Sequence, residues 1–157
     1  MAAAGRVPPL LRYKFKPYPL DEGAGFDWHP VLPVRISSSS SPRPTAPFEA
    51  LLDSGAAGCL FDASLADALH LDLTSGTRSA AIGLGNIRIE IWYHSIELHV
   101  EGVQYGAEVA FANDLPTAGI LGRKGFFDRF KVTFTPVVPL EFEVEPSDGA
   151  SKLKFWR

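Results

Sequence analysis

Residues 50–56 read Ala-Leu-Leu-Asp-Ser-Gly-Ala, so an apolar run leads directly into a carboxylate, a hydroxyl and a glycine. The apolar run predicts a buried strand that ends at Asp53. Gly55 allows the chain to turn with backbone angles that other residues avoid. Asp, Ser and Gly are also the commonest turn formers, so the tripeptide alone is most often an ordinary turn at the end of a strand.

A second apolar segment that ends in glycine lies further along the chain. Residues 118–127 read Ala-Gly-Ile-Leu-Gly-Arg-Lys-Gly-Phe-Phe. Ile120, Leu121 and Gly122 lead into a short helical turn, which we predict over 124–130.

Around these segments, 13 prolines and 14 glycines divide the chain into short pieces that alternate with a period of two. This pattern predicts a mostly β protein. We expect strands over 31–36, 48–52, 87–91, 96–100, 103–111, 132–134 and 140–144. Glu101 and Gly102 are typical of a tight turn and predict a hairpin between two of these strands.

One helix is expected over 62–71, with Asp62 accepting hydrogen bonds from the first turn. The five serines 37–41, followed by a Pro-Arg-Pro sequence, predict an exposed loop.

Length and composition limit the function further. The chain has 157 residues, 46% of them apolar, and a net charge of -3, which suits one soluble domain without the basic excess of a nucleic-acid-binding protein. We expect an N-terminal arm (1–26), one domain (27–146) and a tail (147–157). No apolar run is long enough to span a membrane. The single cysteine, Cys59, cannot form an internal disulfide, so a cytoplasmic location fits best.

The two glycine-containing motifs, in this order, resemble those of the retropepsin-like aspartic proteases, a family of single-lobe retroviral and bacterial enzymes. The matching residues are Asp53, Ser54, Gly55 and Ala56 for the first motif, and Ile120, Leu121 and Gly122 for the second. In that family a glycine-bearing hairpin, the flap, closes over the substrate. Its position is occupied here by Ile82, Gly83, Leu84 and Gly85.

The resemblance implies an all-β barrel with one or two short helices that acts as a homodimeric aspartic endopeptidase. Hydrolysis of this kind needs one carboxylate that accepts a proton from water and another, protonated, that donates one. The chain holds a single Asp-Ser-Gly, so Asp53 from each of two subunits would flank one water molecule. Ser54 would hydrogen-bond across the two-fold axis, Gly55 would offer its carbonyl to the substrate, and Gly122 would leave space behind the catalytic loop. Ile82, Leu84 and Ile120 would favour apolar substrate side chains.

The sequence departs from the retroviral pattern beside the first motif. Ala57 and Gly58 follow where acidic residues are found in the family, so Arg123 needs another partner, for which Asp62 and Asp128 are candidates. This puts the retroviral bracing of the dimer in doubt.

Other chemistry has weaker support. Cys59 is more typical of a small buried apolar residue than of a nucleophile. His94 and His99 would face opposite sides of a regular strand and make a poor metal-binding pair. We therefore expect no cofactor and no metal, and as partners only a peptide or protein substrate and a second copy of the chain. A non-catalytic peptide-binding or dimerisation module on the same barrel remains an alternative, as does a barrel in which Asp53 lies in a simple turn.

Overall fold

The computed structural model describes residues 10–135, 137–147 and 154–155. Its strands, in chain order, are β1 (Leu11–Lys14), β2 (Lys16–Pro19), β3 (Phe26–His29), β4 (Val31–Ser37), β5 (Phe48–Leu52), β6 (Leu60–Asp62), β7 (Thr77–Ile82), β8 (Arg88–Val100), β9 (Val103–Ala112), β10 (Gly119–Leu121), β11 (Phe130–Phe134), β12 (Glu141–Pro146) and β13 (Lys154–Phe155). Helix α1 covers Ala63–Ala68, and short 3₁₀ turns cover Leu73–Ser75 and Leu84–Asn86. The predicted all-β class is confirmed.

Six strands close into a barrel. The large sheet has the order β13-β9-β6-β10-β5-β4-β8-β7, and an additional pairing of β8 with β9 joins its two sides. The closing pair is the predicted hairpin, whose turn residues Glu101 and Gly102 both have positive φ, at 44° and 77°. These angles match the right-handed twist of the strands that they join.

The main apolar core combines side chains from the barrel strands, from β12 and from the turn after β10. The largest fully buried side chains include those of Phe61, Phe111, Phe126, Phe142, Leu32 and Leu98. A smaller apolar cluster is formed by Ile91, Ala110 and Ala112, with Leu60, Ala81, Ile89, Tyr93 and Leu115 packed against it. This second cluster lies on the side of the sheet where the candidate site is found.

Three expectations need correction. The separate strands predicted over 87–91 and 96–100 are one continuous strand, β8, because residues 92–95 between them pair with β9 without interruption. The serine segment is not wholly exposed: Ser37 and Ser38 are buried. Ser37 Oγ lies 2.7 Å from Nε2 of His99 on the neighbouring strand, which offsets the cost of burying a hydroxyl.

The helix is also shorter than predicted, since α1 ends at Ala68. Its cap is as expected, with the Asp62 carboxylate accepting from the Ser64 N–H at 3.0 Å. The predicted turn over 124–130 is present as successive turns, in which Phe130 N donates to Phe126 O.

Both ends of the chain contribute strands. β1 and β11 flank β12 in a separate three-stranded sheet, and among the described strands β2 pairs with β3 alone. β13 pairs with β9 of the same chain. The limits predicted for the arm, domain and tail stay a prediction. Among the helices that the structure describes, none has the length and apolar character needed to cross a bilayer.

Candidate functional site

Asp53 lies at the end of β5, where three strands meet. β10 lies between β5 and β6, parallel to β5, and pairs Leu121 with Leu52. The Asp53 N–H donates to the Leu121 carbonyl at 3.0 Å, which continues this pairing by one residue. The two sequence motifs are therefore hydrogen-bonded neighbours.

The loop after Asp53 turns back on itself. The Gly55 N–H donates to Asp53 Oδ1 at 2.9 Å, and the Ala56 N–H donates to the Asp53 carbonyl at 3.1 Å. These bonds fix the carboxylate at the barrel surface, while Ser54 and Gly55 are exposed beside it. One oxygen of the carboxylate is held by the turn, and its position is set before any substrate arrives.

Gly122 is packed so closely against this loop that no side chain fits. A Cβ at this position would lie 2.2 Å from the Gly58 carbonyl oxygen and 2.9 Å from that of Ala56. The N–H of Arg123 donates to the Ala56 carbonyl at 2.9 Å, and that of Lys124 to the Ala57 carbonyl at 3.0 Å. We call residues 53–58 and 120–124 the floor of the site.

The side chain of Arg123 contacts the floor itself. Its Nη1 lies 3.5 Å from the Ser54 carbonyl oxygen and 3.4 Å from that of Gly55. The expected partners are wrong: Asp62 caps α1 and accepts from Leu115 N at 3.3 Å, and Asp128 accepts from Gly125 N at 3.0 Å. Because this chain lacks the acidic residues that follow the first motif in the retroviral enzymes, the Arg123 guanidinium donates to backbone carbonyls of the Asp53 loop.

The predicted flap is the tip of the β7–β8 hairpin. Its strands pair up to Ile82 opposite Arg88, and Gly83 N donates to Ile87 O at 2.8 Å. Gly85 turns with a φ of 73°. The apolar side chains of this tip are strongly exposed, with Ile82 at 67%, Leu84 at 96% and Ile87 at 65%.

A cleft of about 1130 Å³ lies between the floor and the flap. Asp53, Gly55, Ala56 and Ile120 line it from the floor, and Ile82, Gly83 and Leu84 from the flap. Leu121 and Gly122 are buried beneath, as structural support. The structure thus brings together the two motifs and the flap that the sequence had suggested.

Sequence reasoning missed much of the cleft wall. The missed residues are Ile89, Ile91, Tyr93, Ala110 and Leu115, which form most of the smaller apolar cluster. The alternation along β8 was visible, but which face would meet the cleft depends on the pairing with β7 and β9. Glu108 and Lys124 add a charged pair at the rim, 3.3 Å apart.

The other reactive side chains have structural surroundings. Cys59 is 2% exposed, and burial raises the pKa of its thiol to about 11, which suits the predicted packing role. Nε2 of His94 lies 2.9 Å from the Leu73 carbonyl oxygen, far along the strand from His99. Within the described ranges, no group of three or more His, Cys, Asp or Glu residues is arranged to hold a metal ion.

Two solved structures align with this chain. A retropepsin-like aspartic protease from Rickettsia conorii aligns over 85% of this chain and 98% of its own, with 14% identity and a TM-score of 0.56. The EIAV protease, solved with an inhibitor, aligns over 68% of this chain and 86% of its own, with 22% identity and a TM-score of 0.46. The first of these likenesses establishes a retropepsin-like fold. No curated protein matches the chain.

A family model gives the stronger result. The model described as aspartyl protease matches residues 32–124. That range runs from β4 through both motifs and the flap, which is more than half of the chain. On this match, the protein belongs to the aspartyl protease family.

Proposed function

We propose that the protein is an aspartic endopeptidase that works as a homodimer, with Asp53 of each subunit flanking the attacking water. The observation that carries the proposal is the position of Asp53, whose carboxylate is fixed by Gly55 N–H on the floor of a large cleft under an apolar flap. The family and the fold support peptidase activity, and the second carboxylate is the part that we infer.

The need for two carboxylates follows from proton transfer. One carboxylate removes a proton from the water molecule, and the water oxygen attacks the peptide carbonyl carbon. At the same time the other carboxyl group, which is protonated, donates its proton to the carbonyl oxygen. In the next step the C–N bond of the tetrahedral intermediate breaks: the leaving amine takes the proton that the first carboxyl had gained from water, and a hydroxyl of the intermediate returns its proton to the second carboxylate. Two close carboxylates share one proton because they cannot both ionise, so the pair is ready for both roles.

The shape and polarity of the cleft suggest the class of substrate. An extended peptide would add hydrogen bonds alongside the floor and the flap strands. Ile82, Leu84 and Ile120 present apolar surface to it, so we expect a preference for apolar side chains next to the cleaved bond. The buried free thiol of Cys59 is consistent with a cytoplasmic location.

The decisive test is digestion of a proteome-derived peptide library by wild type, Asp53→Asn and Asp67→Asn, read by mass spectrometry across a range of pH. Asp53→Asn removes the charge with little change of shape, so cleavage should fall by about 1000-fold or more. Asp67 lies exposed on α1 and serves as the matched control. Cleavage should occur at acidic to neutral pH, since the shared proton must be retained.

Three outcomes contradict the proposal. Cuts shared by wild type and Asp53→Asn would mean another catalytic residue or a contaminant. A rate that still rises through alkaline pH would contradict the shared proton. Peptide binding by a folded wild-type dimer that cuts nothing would instead favour the non-catalytic binding module.

A further inference from the structure

The strands β2 and β3 form a two-stranded ribbon that is attached to the barrel by one face. Directly opposed residues of an antiparallel pair point to the same side, so Lys16 and His29, and Tyr18 and Asp27, share a face. Tyr18 Oη donates to Glu49 Oε2 at 2.6 Å, and Lys16 forms an ion pair with Glu49. This polar face of the ribbon therefore packs against β5.

The opposite face of the ribbon is apolar and open to solvent. It consists of Pro17 opposite Trp28 and Pro19 opposite Phe26. Trp28 is 50% exposed and Phe26 62%, and Leu20 beside them is 48% exposed. Single exposed apolar residues are common, but two aromatic rings on one uncharged face are typical of an interaction surface. We call these five residues the ribbon face.

The backbone that carries the ribbon joins the barrel beside the candidate catalytic loop. β3 is joined to β4 through Pro30, whose carbonyl accepts from the Leu52 N–H at 2.9 Å, one residue before Asp53. Trp28 is two residues from Pro30, about 7 Å along an extended chain. The exposed residues Ser54 and Gly55 lie at the same end of β5.

We propose that the ribbon face is a docking surface for a second copy of this chain. The inference rests on the proposed function, because a cleft with one Asp53 is complete only when a second Asp53 approaches it. An interface around a two-fold axis uses the same patch on both subunits, so apolar surface close to Asp53 is buried when the two loops meet. Aromatic side chains without neighbouring charge are the composition of an interface core.

The prolines decide how the ribbon associates. Pro17 and Pro19 have no N–H, so the free edge of β2 is a poor template for adding another strand. Association therefore uses the face of the ribbon and not that edge. The exposed flap residues Ile82 and Leu84 are a different surface, since they line the cleft.

The test compares Phe26→Ser and Trp28→Ser with wild type and with Val137→Ser. Val137 is 63% exposed in the segment between β11 and β12, which makes it a matched control for removing an exposed apolar side chain. Dimer dissociation constants come from sedimentation equilibrium, and circular dichroism checks that each variant is folded. We expect each ribbon variant to raise the dissociation constant about 30-fold, and Val137→Ser to leave it unchanged.

A second readout separates docking from catalysis. If the ribbon holds the dimer, the specific activity of Trp28→Ser falls at low protein concentration and returns to the wild-type value at high concentration. An active wild-type dimer whose ribbon variants dissociate no more readily overturns this inference and leaves the proposed function intact. If the wild-type dimer cuts no peptide but the ribbon variants dissociate more readily than it does, the docking surface is supported and the proposed function is overturned. A wild-type protein that stays monomeric overturns both the docking surface and the proposed function. If the ribbon variants remain dimeric and lose cleavage of protein substrates only, the ribbon face is assigned to substrate docking instead.

Discussion

Glycines stand at both sides of the cleft for opposite physical reasons. On the floor, Gly122 is required by space, because a Cβ would meet the Gly58 carbonyl oxygen at 2.2 Å. On the flap, Gly85 has nothing within 4 Å of the position of a Cβ, and its φ of 73° is what favours glycine. The floor is thus specified by close packing, whereas the flap is specified by the conformation of a turn.

The two regions also differ in how firmly they are held. Backbone bonds from Asp53, Arg123 and Lys124 tie the two motifs of the floor together. The flap tip is closed by the bond from Gly83 to Ile87 and exposes its apolar side chains to solvent. Segments with few buried contacts open at low free energy. A rigid floor with a readily displaced flap is the arrangement that peptide entry and product release require.

Gly122→Ala is the strongest test of the packed floor. The added methyl has to displace backbone atoms of Gly58 and Ala56, so we expect the free energy of unfolding to fall by about 3 kcal/mol. Urea denaturation of the variant and of wild type measures this. A change below about 0.5 kcal/mol would show that the floor can yield, and the contrast with the flap would fail.

Leu84→Ser tests the flap by function and not by stability. Leu84 is 96% exposed, so its replacement should leave the urea midpoint unchanged. If the flap covers the substrate with apolar surface, kcat/KM on an apolar peptide falls about 10-fold, which corresponds to 1.4 kcal/mol. Equal kcat/KM values for variant and wild type would remove Leu84 from the substrate site.

Asp62→Ala tests a contact that links helix α1 to the cleft wall. Asp62 caps α1 and also accepts from Leu115 N, and hydrogen bonds from Ser64 lower the pKa of its carboxyl. We expect a loss of about 1 kcal/mol at neutral pH. The lowered pKa means that the stabilisation is present above the unfolded pKa of about 3.9 and is lost as the pH falls through the folded value. Thermal unfolding at pH 7 and pH 3 should therefore show the variant approaching wild type in acid, and a constant difference would contradict a role for the charge.

Gly83→Ala is the matched partner of Gly122→Ala and has the smallest expected effect. Gly83 has a φ of -95°, and the nearest atom to an added Cβ is 3.9 Å away. Alanine fits this conformation and restricts the unfolded chain, so we expect a gain of about 0.5 kcal/mol. Opposite signs for the two glycine variants in the same denaturation experiment sharpen the contrast, whereas a large loss at Gly83 would mean that the flap is packed too.

The sequence predicted those parts of the fold whose signals are local. The alternation over 103–111 and the Glu101-Gly102 turn depend on neighbouring residues, and both are present in the structure. The contact between the two motifs was predicted from the family resemblance, because no short-range pattern indicates that residues so far apart in the chain are neighbours. The burial of Ser37 was missed because its partner, His99, is far away along the chain.

The same reasoning explains what was missed in the site. The partners of Arg123 are carbonyl groups, and every residue has one, so residue types alone do not reveal them. The strand β1 was overlooked because its partner is β12, far away along the chain. The ribbon face appeared only when the pairing of β2 with β3 placed two prolines opposite two aromatic residues.

The insertion of β10 between β5 and β6 sets an order of events during protein synthesis. Gly55 and Arg123 are separated by 68 positions, which a ribosome adding 5–20 residues per second covers in roughly 3 to 14 seconds. During that interval the Asp53 loop lacks the strand that supports it, and β5 and β6 each have an unsatisfied edge. The growing chain therefore carries Asp53 without a formed floor until β10 has been synthesised.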